Sequence, residues 1–230
     1  MINQIRVAFG CLLISAFAST MQIVRPKPET PLENEYVKVT VYPPLRSVSQ
    51  EVLALGLNME KAPLVQLRVP TQVFNSESGA LEPPDLRNVS ALYVLPQGNF
   101  SGTRSYERHE AFIYIDLKMV PPTSVFTDDA VKADPAHNEV ILDNDRVRVV
   151  RVHFVPGESG PMADKRPRVI VARTDSNATV TFPDGHSEPR QMKAGAVSFG
   201  NAGRQATKNT GTTPIENIVV ELKSKESEKK

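Results

Sequence analysis

Four histidines are the side chains best able to bind a metal or transfer protons, and they occur at His109, His137, His153 and His186. No two of them have the short separations that bring imidazoles to one metal from a single helix or strand. Three are expected in a loop, a linker and a hairpin turn. His153 lies in the alternating run VRVVRVHFV, where it would face either a barrel interior or the surface. We keep it as a candidate ligand-binding residue.

Motifs for nucleophilic and phosphate chemistry do not occur in the sequence. It contains neither Gly-x-Ser-x-Gly nor a glycine-rich phosphate loop. The single cysteine, Cys11, lies in an N-terminal apolar run that we expect to be removed. Disulfides, thiolate nucleophiles and thiolate metal sites are then excluded from the mature protein, and no catalytic residue is predicted.

The N-terminus has the pattern of a signal peptide. Arg6 is the only charged residue among the first 24, and a twelve-residue apolar run follows it, ending in the small-x-small sequence Ala16-Phe17-Ala18. The run is shorter than the roughly 20 apolar residues that span a bilayer. We therefore predict an exported protein, periplasmic or secreted, with no stable membrane span after cleavage.

The charge balance argues against polyanionic partners. Lysine and arginine number 27 against 26 acidic residues, and tryptophan is absent. Such a chain has no global field to gather nucleic acid or an anionic membrane, and it contains no basic patch interleaved with aromatic residues. No nucleic-acid partner is predicted.

Alternating, β-branched segments of strand length dominate the sequence: YVKVTVY, PLVQLRV, RVRVVRVHFV, RVIVA, ATVTF and NIVVEL. The sequence FPDGH between ATVTF and SEPRQM has the residues of a hairpin turn. Residues 49–62 are the one segment with helical character, and Gly56 and Asn58 interrupt it. The predicted class is all-β, a sandwich or barrel.

Two pairs of segments indicate an internal repeat. ENEYVKVTVYPP, from Glu33, matches DNDRVRVVRVHFVPG, from Asp143, at an offset of 110. A 28-residue segment from Ala91 aligns without a gap on the segment from Ala196 at an offset of 105, with five identities. Two matches so nearly in register predict tandem copies of one β unit.

The repeat and the composition of the connections divide the chain into six parts. These are a signal peptide (1–20), a proline-rich linker (21–32), a first β domain (33–118), a second linker (119–139), a second β domain (140–223) and a charged tail (224–230).

The second β domain resembles the cupin superfamily. The resemblance lies in NDRVRVVRVHFVPGESGPM, then VTFPDG, KAGAVSFGNAGRQATKNTG and a closing IVVELK, about 80 residues in all. It implies two tandem double-stranded β-helix, or jelly-roll, barrels, the first inferred through the repeat. Cupins include dioxygenases, isomerases, binding proteins and seed storage proteins, so the resemblance leaves function open.

Metal-binding cupins hold their ion with three histidines and often a glutamate. Carried over by position, those sites are occupied here by Ala163, Lys165, Val169 or Ile170, Gln205 and Asn209. A methyl group has no lone pair, an ammonium repels a cation, and an amide is a poor ligand for such ions. The resemblance thus implies neither a metal nor another cofactor.

If the strands have the register that the cupin resemblance implies, Lys165 and Gln205 point toward the barrel interior. No acidic residue is expected at a matching interior position, and an unpaired buried ammonium is costly to desolvate. We therefore predict that Lys165 and Gln205, with Arg168, receive a carboxylate or another small organic anion. The alternative is that Lys165 reaches solvent at the barrel mouth.

Two functions remain open. The favoured hypothesis is an exported cupin-like protein without metal or catalysis, which binds a small molecule or a protein or has a structural role. The alternative is a metal-dependent cupin enzyme, a dioxygenase or an isomerase, acting on a small substrate.

Export predicts a mature N-terminus between Ala18 and Met21, because the small-residue site ends the apolar run there. Mass spectrometry of the exported product would give this terminus directly. An exported product that retains Met1 would contradict the prediction.

Overall fold

The computed structural model describes residues 27–42, 63–70, 73–74, 81–82, 89–94, 110–122 and 126–224. These residues form sixteen strands and one short helix, so the predicted all-β class is confirmed. The predicted signal peptide, the helical segment 49–62, His109 and residues 225–230 lie outside the described residues. Within the described residues, no helix has both the length and the apolar character that crossing a membrane requires.

The elements of the first half are β1 (Glu29–Glu33), β2 (Val37–Tyr42), β3 (Leu64–Pro70), β4 (Val73–Phe74), β5 (Leu81–Glu82), β6 (Ser90–Val94) and β7 (Glu110–Leu117). Those that follow are α1 (Ala130–Ala133), β8 (Asn138–Asp143), β9 (Val147–Phe154), β10 (Ala163–Lys165), β11 (Arg168–Ala172), β12 (Ser176–Thr181), β13 (Ser187–Met192), β14 (Val197–Gly200), β15 (Gly203–Asn209) and β16 (Ile215–Leu222). All six segments predicted as strands are strands.

Two five-stranded antiparallel sheets share one topology. The first has the order β1-β2-β7-β3-β6, and the second has the order β8-β9-β16-β11-β14. Each strand of the first sheet thus has a counterpart at the same place in the second. The repeat detected in the sequence therefore corresponds to a repeated sheet. A complete first barrel stays a prediction, and so do the domain boundaries.

Matching asparagine turns begin the two repeats. The Asn34 Oδ1 accepts hydrogen bonds from the backbone N–H groups two and three residues further on, both at 2.9 Å. The Asn144 Oδ1 accepts the equivalent pair at 2.9 and 3.0 Å. A side chain that caps its own turn in this way fixes the chain reversal between two strands. This explains why the acidic-Asn-acidic signature occurs twice.

The two five-stranded sheets pack face to face around one core. Alternate residues of each sheet point into this layer, and the fully buried ones include Val39, Leu67, Ile115, Val149 and Val220. Tyr36 also stacks on Phe199 across the layer, with ring centroids 5.8 Å apart. Because the period of a strand is two, the remaining residues of the second sheet face the opposite way.

That opposite face is covered by a four-stranded sheet with the order β10-β15-β12-β13. The predicted hairpin joins β12 to β13, with Thr181 opposite Ser187. Gly185 has a φ of +86° in this turn, a conformation that glycine adopts without the steric cost of a Cβ. The second half of the chain is therefore a two-sheet barrel, as the resemblance implied.

The segment predicted as a linker, residues 119–139, contains α1 and the start of β8. The Asp129 side chain caps α1 by accepting from the backbone N–H groups of Val131 and Lys132. Part of this connection is therefore ordered against the second barrel, where Asp129 pairs with Asp164 in an isolated bridge.

The shared core makes a prediction about stability. Ile218 is 1% exposed and packs between the two five-stranded sheets. Ile218→Ala should lower the free energy of unfolding by about 2–5 kcal/mol, because it removes buried methyl groups and leaves a cavity. Denaturant titration measures this value. Val155→Ala is the matched control, since Val155 is 40% exposed and should change stability by less than about 0.5 kcal/mol. Equal effects of the two variants would contradict this account of the core.

Candidate functional site

A cavity of about 90 Å³ lies inside the second barrel, between its two sheets. Its apolar wall includes Val150, Val152, Phe154, Ile170 and Val219. Its polar lining consists of Asn138, Lys165, Arg168, Ser176, Arg190, Gln205, Thr207, Asn217 and Glu221. The space is enough for several water molecules or a small organic ligand.

Three charged side chains lie side by side on the neighbouring strands β9, β16 and β11. Arg148 on β9 is opposite Glu221 on β16, and Glu221 is opposite Arg168 on β11. The Arg148 Nε donates to the Glu221 Oε2 at 2.7 Å, and its Nη2 donates to the Asp129 Oδ2 at 2.9 Å. Burial acts to lower the pKa of Arg148, but its bonds to Asp129 and Glu221 outweigh burial and raise it. The direct ion-pair partner of the Glu221 carboxylate is thus Arg148.

Arg168 is buried without a carboxylate of its own. Its Nη1 donates to the backbone carbonyls of Arg166 and Asn201, at 3.1 and 3.0 Å. Burial lowers the pKa of Arg168 to about 10; the nearby Glu221 charge opposes this shift and Arg190 adds to it. The guanidinium remains a cation at neutral pH, with only neutral oxygens as direct partners in the described structure.

Gly200 makes room for the Arg168 guanidinium. The two residues are opposite each other in the β11–β14 pair. A Cβ added to Gly200 would lie 3.0 Å from the Arg168 Cζ, which is closer than ordinary contact. The glycine is required here for the close approach of the guanidinium and keeps Arg168 in place beside the cavity.

Lys165 extends into the cavity from β10, as the resemblance predicted. It is half-buried, and among the described residues its ammonium has no ion pair and no hydrogen bond. Burial lowers the pKa of Lys165 and the Arg168 charge lowers it further, while the charges of Glu221, Asp134 and Asp129 oppose the shift. The alternative, an ammonium that reaches solvent at the barrel mouth, stays an open prediction.

The positions that hold metal ligands in cupins do not fit a metal here. Ala163 is 1% exposed and lies opposite Gln205, which is also buried. The Asn209 Nδ2 donates to the backbone carbonyls of Phe154 and Thr213. The Asn209 amide therefore holds two backbone segments together. Beside Lys165, a cation would meet positive charge and amides in place of imidazoles. The described residues also contain no cluster of three His, Cys, Asp or Glu side chains able to hold a metal ion.

His153 does not lie in the cavity. Its neighbours Val152 and Phe154 face inward, so strand alternation turns His153 to the other face of β9. There its Nδ1 lies 2.5 Å from the Glu216 Oε1, and Arg151 Nε contacts the same carboxylate at 3.3 Å. The hypothesis that His153 faces the interior is wrong, and the histidine belongs to an ion-pair network on the outside of the barrel.

The cavity residues that the sequence analysis did not name include Arg190, Asn217 and Glu221. Arg190 lies on β13 in the same inward register as Met192, a signal that the alternation in SEPRQM contains. The Asn217 Oδ1 is buried and has no hydrogen-bond partner in the described structure. Glu221 corrects the expectation that the interior has no acidic residue, although its carboxylate is bound to Arg148.

No protein-family model and no curated protein matches the chain. Among solved structures, a cupin domain from Bordetella pertussis Tohama I is 25% identical, with a TM-score of 0.36, over 38% of this chain and 92% of that one. A cupin 2 conserved barrel domain protein from Leptotrichia buccalis is 9% identical, with a TM-score of 0.42, over 86% of this chain and 88% of that one. A cupin superfamily protein from Desulfitobacterium hafniense DCB-2 is 16% identical, with a TM-score of 0.31, over 38% and 76%. The structural neighbours of this chain are therefore cupin-domain proteins, the same superfamily that its sequence resembles.

Proposed function

We propose that this chain is an exported, cupin-like binding protein that holds a small organic anion in the cavity of its second barrel, without catalysis. The observation that carries the proposal is the charge of the cavity lining. Lys165, Arg168 and Arg190 contribute three cations, against the single carboxylate of Glu221. Since Glu221 is bonded to Arg148, the cavity retains uncompensated positive charge.

An anion would remove an energetic cost that the cavity now carries. Desolvation disfavours the charged forms of Lys165 and Arg168, which lowers the pKa of both groups. A carboxylate placed between them would accept charge-assisted hydrogen bonds and restore the counter-charge that the interior lacks. Gln205 and Asn217 add amide groups that would orient such a ligand.

The size and the apolar wall favour a short organic acid. The cavity is small, and Ile170, Val219 and Phe154 form a hydrophobic surface within it. The carboxylate of a short organic acid would contact the cationic side chains, and its aliphatic part would contact the apolar wall. The metal-dependent alternative is opposed by Ala163, Lys165 and Gln205 at the ligand positions. Export rests on the signal-peptide pattern of the first 20 residues.

The proposal predicts binding of acids such as acetate, propionate or lactate that depends on Lys165. Lys165→Ala should weaken binding by about tenfold to a hundredfold, because it removes a hydrogen bond to a charged group worth about 1.5–3 kcal/mol. Isothermal titration calorimetry on the full chain measures the affinity.

Lys193→Ala is the matched control. The Lys193 side chain is 85% exposed and pairs with Asp175 at the surface, so its loss should leave binding unchanged. The anion site is refuted if the parent protein binds none of the acids, or if Lys165→Ala binds them as the parent does.

A further inference from the structure

We propose that Lys165 also captures its ligand covalently: the Nζ amine condenses with the carbonyl group of a 2-oxo acid to form an imine inside the barrel. The inference deepens the proposed function and rests on it, because the cavity cations would hold the carboxylate of the same ligand. It adds a chemical class, since an acid without a ketone or aldehyde group cannot form the imine and binds only non-covalently.

Lys165 lines the cavity from β10. The residue opposite it on β15 is Gly203, which has no side chain that could cover the lysine. No carboxylate of the described residues forms an ion pair with the ammonium. A lysine held by a salt bridge would have to break it before reacting, whereas Lys165 has no such contact.

The charges around Lys165 favour the reactive form of its amine. Only an unprotonated amine attacks a carbonyl carbon, and a desolvated lysine near another cation is the usual means of obtaining one. Arg168 on β11 and Glu221 on β16 line the same cavity as Lys165, while Asp129 and Asp134 flank α1. Burial and Arg168 together lower the pKa of Lys165 despite these three carboxylates.

The rest of the lining distinguishes a 2-oxo acid from a simple aldehyde. Arg168 and Arg190 offer guanidinium groups to a carboxylate adjacent to the reacting carbonyl. Asn217 also lines the cavity, and its buried Oδ1 has no hydrogen-bond partner in the described structure.

The step balances without an oxidant or a reductant. The Nζ lone pair forms a bond to the carbonyl carbon, and one Nζ proton moves to the carbonyl oxygen to give a carbinolamine. The nitrogen lone pair then forms the second bond of C=N as the C–O bond breaks, and the hydroxyl group leaves as water with the remaining Nζ proton. Imine hydrolysis reverses the same steps and releases the acid.

Trapping with pyruvate and sodium cyanoborohydride tests the inference on the full-length parent protein. The reagent reduces an imine to a stable secondary amine, which peptide mapping by mass spectrometry assigns to one lysine. We expect a single reduced adduct at Lys165 and none at the exposed Lys132 and Lys193. Lys165→Arg should lose this adduct and Lys193→Arg should keep it.

Comparison with lactate separates this inference from the proposed function. Lactate has the same carbon skeleton as pyruvate, with a hydroxyl group in place of the ketone. Calorimetric binding of lactate without a pyruvate adduct at Lys165 would overturn the covalent step and leave the anion site standing. Absence of both would overturn both. Adducts distributed over the exposed lysines at the same level as at Lys165 would also overturn the covalent step, because they would show no reactivity specific to the cavity.

Discussion

The second five-stranded sheet is buried on both faces, and the rest of the structure depends on this constraint. Its strand alternation divides each strand between two environments: Val149 and Val220 face the first sheet, whereas Val150 and Val219 face the barrel cavity. A one-residue slip would exchange these faces and place Arg168 in the apolar layer between the sheets. The packing of the two halves therefore fixes which side chains reach the cavity.

The polar groups on the inward face explain why the cavity is cationic. Arg148, Glu221 and Arg168 lie side by side on neighbouring strands, and one carboxylate cannot be the direct partner of every cation nearby. Glu221 binds Arg148, while Arg168 is held by backbone carbonyls and by the space above Gly200. Lys165 then adds a charge with no counter-charge in contact. Burying an unpaired ammonium costs desolvation free energy unless an anion binds to it or the amine loses its proton. The proposed anion and the proposed imine are these two outcomes.

Local patterns in the sequence predicted the strands, the β12–β13 hairpin and the repeated sheet, because each depends on period-two alternation or on turn residues. The positions of Lys165 and Gln205 in the cavity followed from the register of the resemblance, whereas Arg168 was only an added candidate. For His153 the sequence left both faces open, because alternation gives two faces and does not say which one a second sheet covers. Glu221 was missed for a related reason: its partner Arg148 lies 73 residues away in the chain, and only the pairing of β9 with β16 brings them together.

The protonation of Lys165 tests the central claim, that the proposed anion site contains an unpaired cation where the resemblance to cupins would place a metal ligand. Heteronuclear NMR of the lysine side chains, titrated with pH, gives the pKa of each amine. We expect the Lys165 pKa to lie below the value of about 10.4 of a free lysine, and to rise when propionate is added, since a nearby anion favours the charged form. A Lys165 that titrates like the exposed lysines and does not respond to propionate would contradict the account.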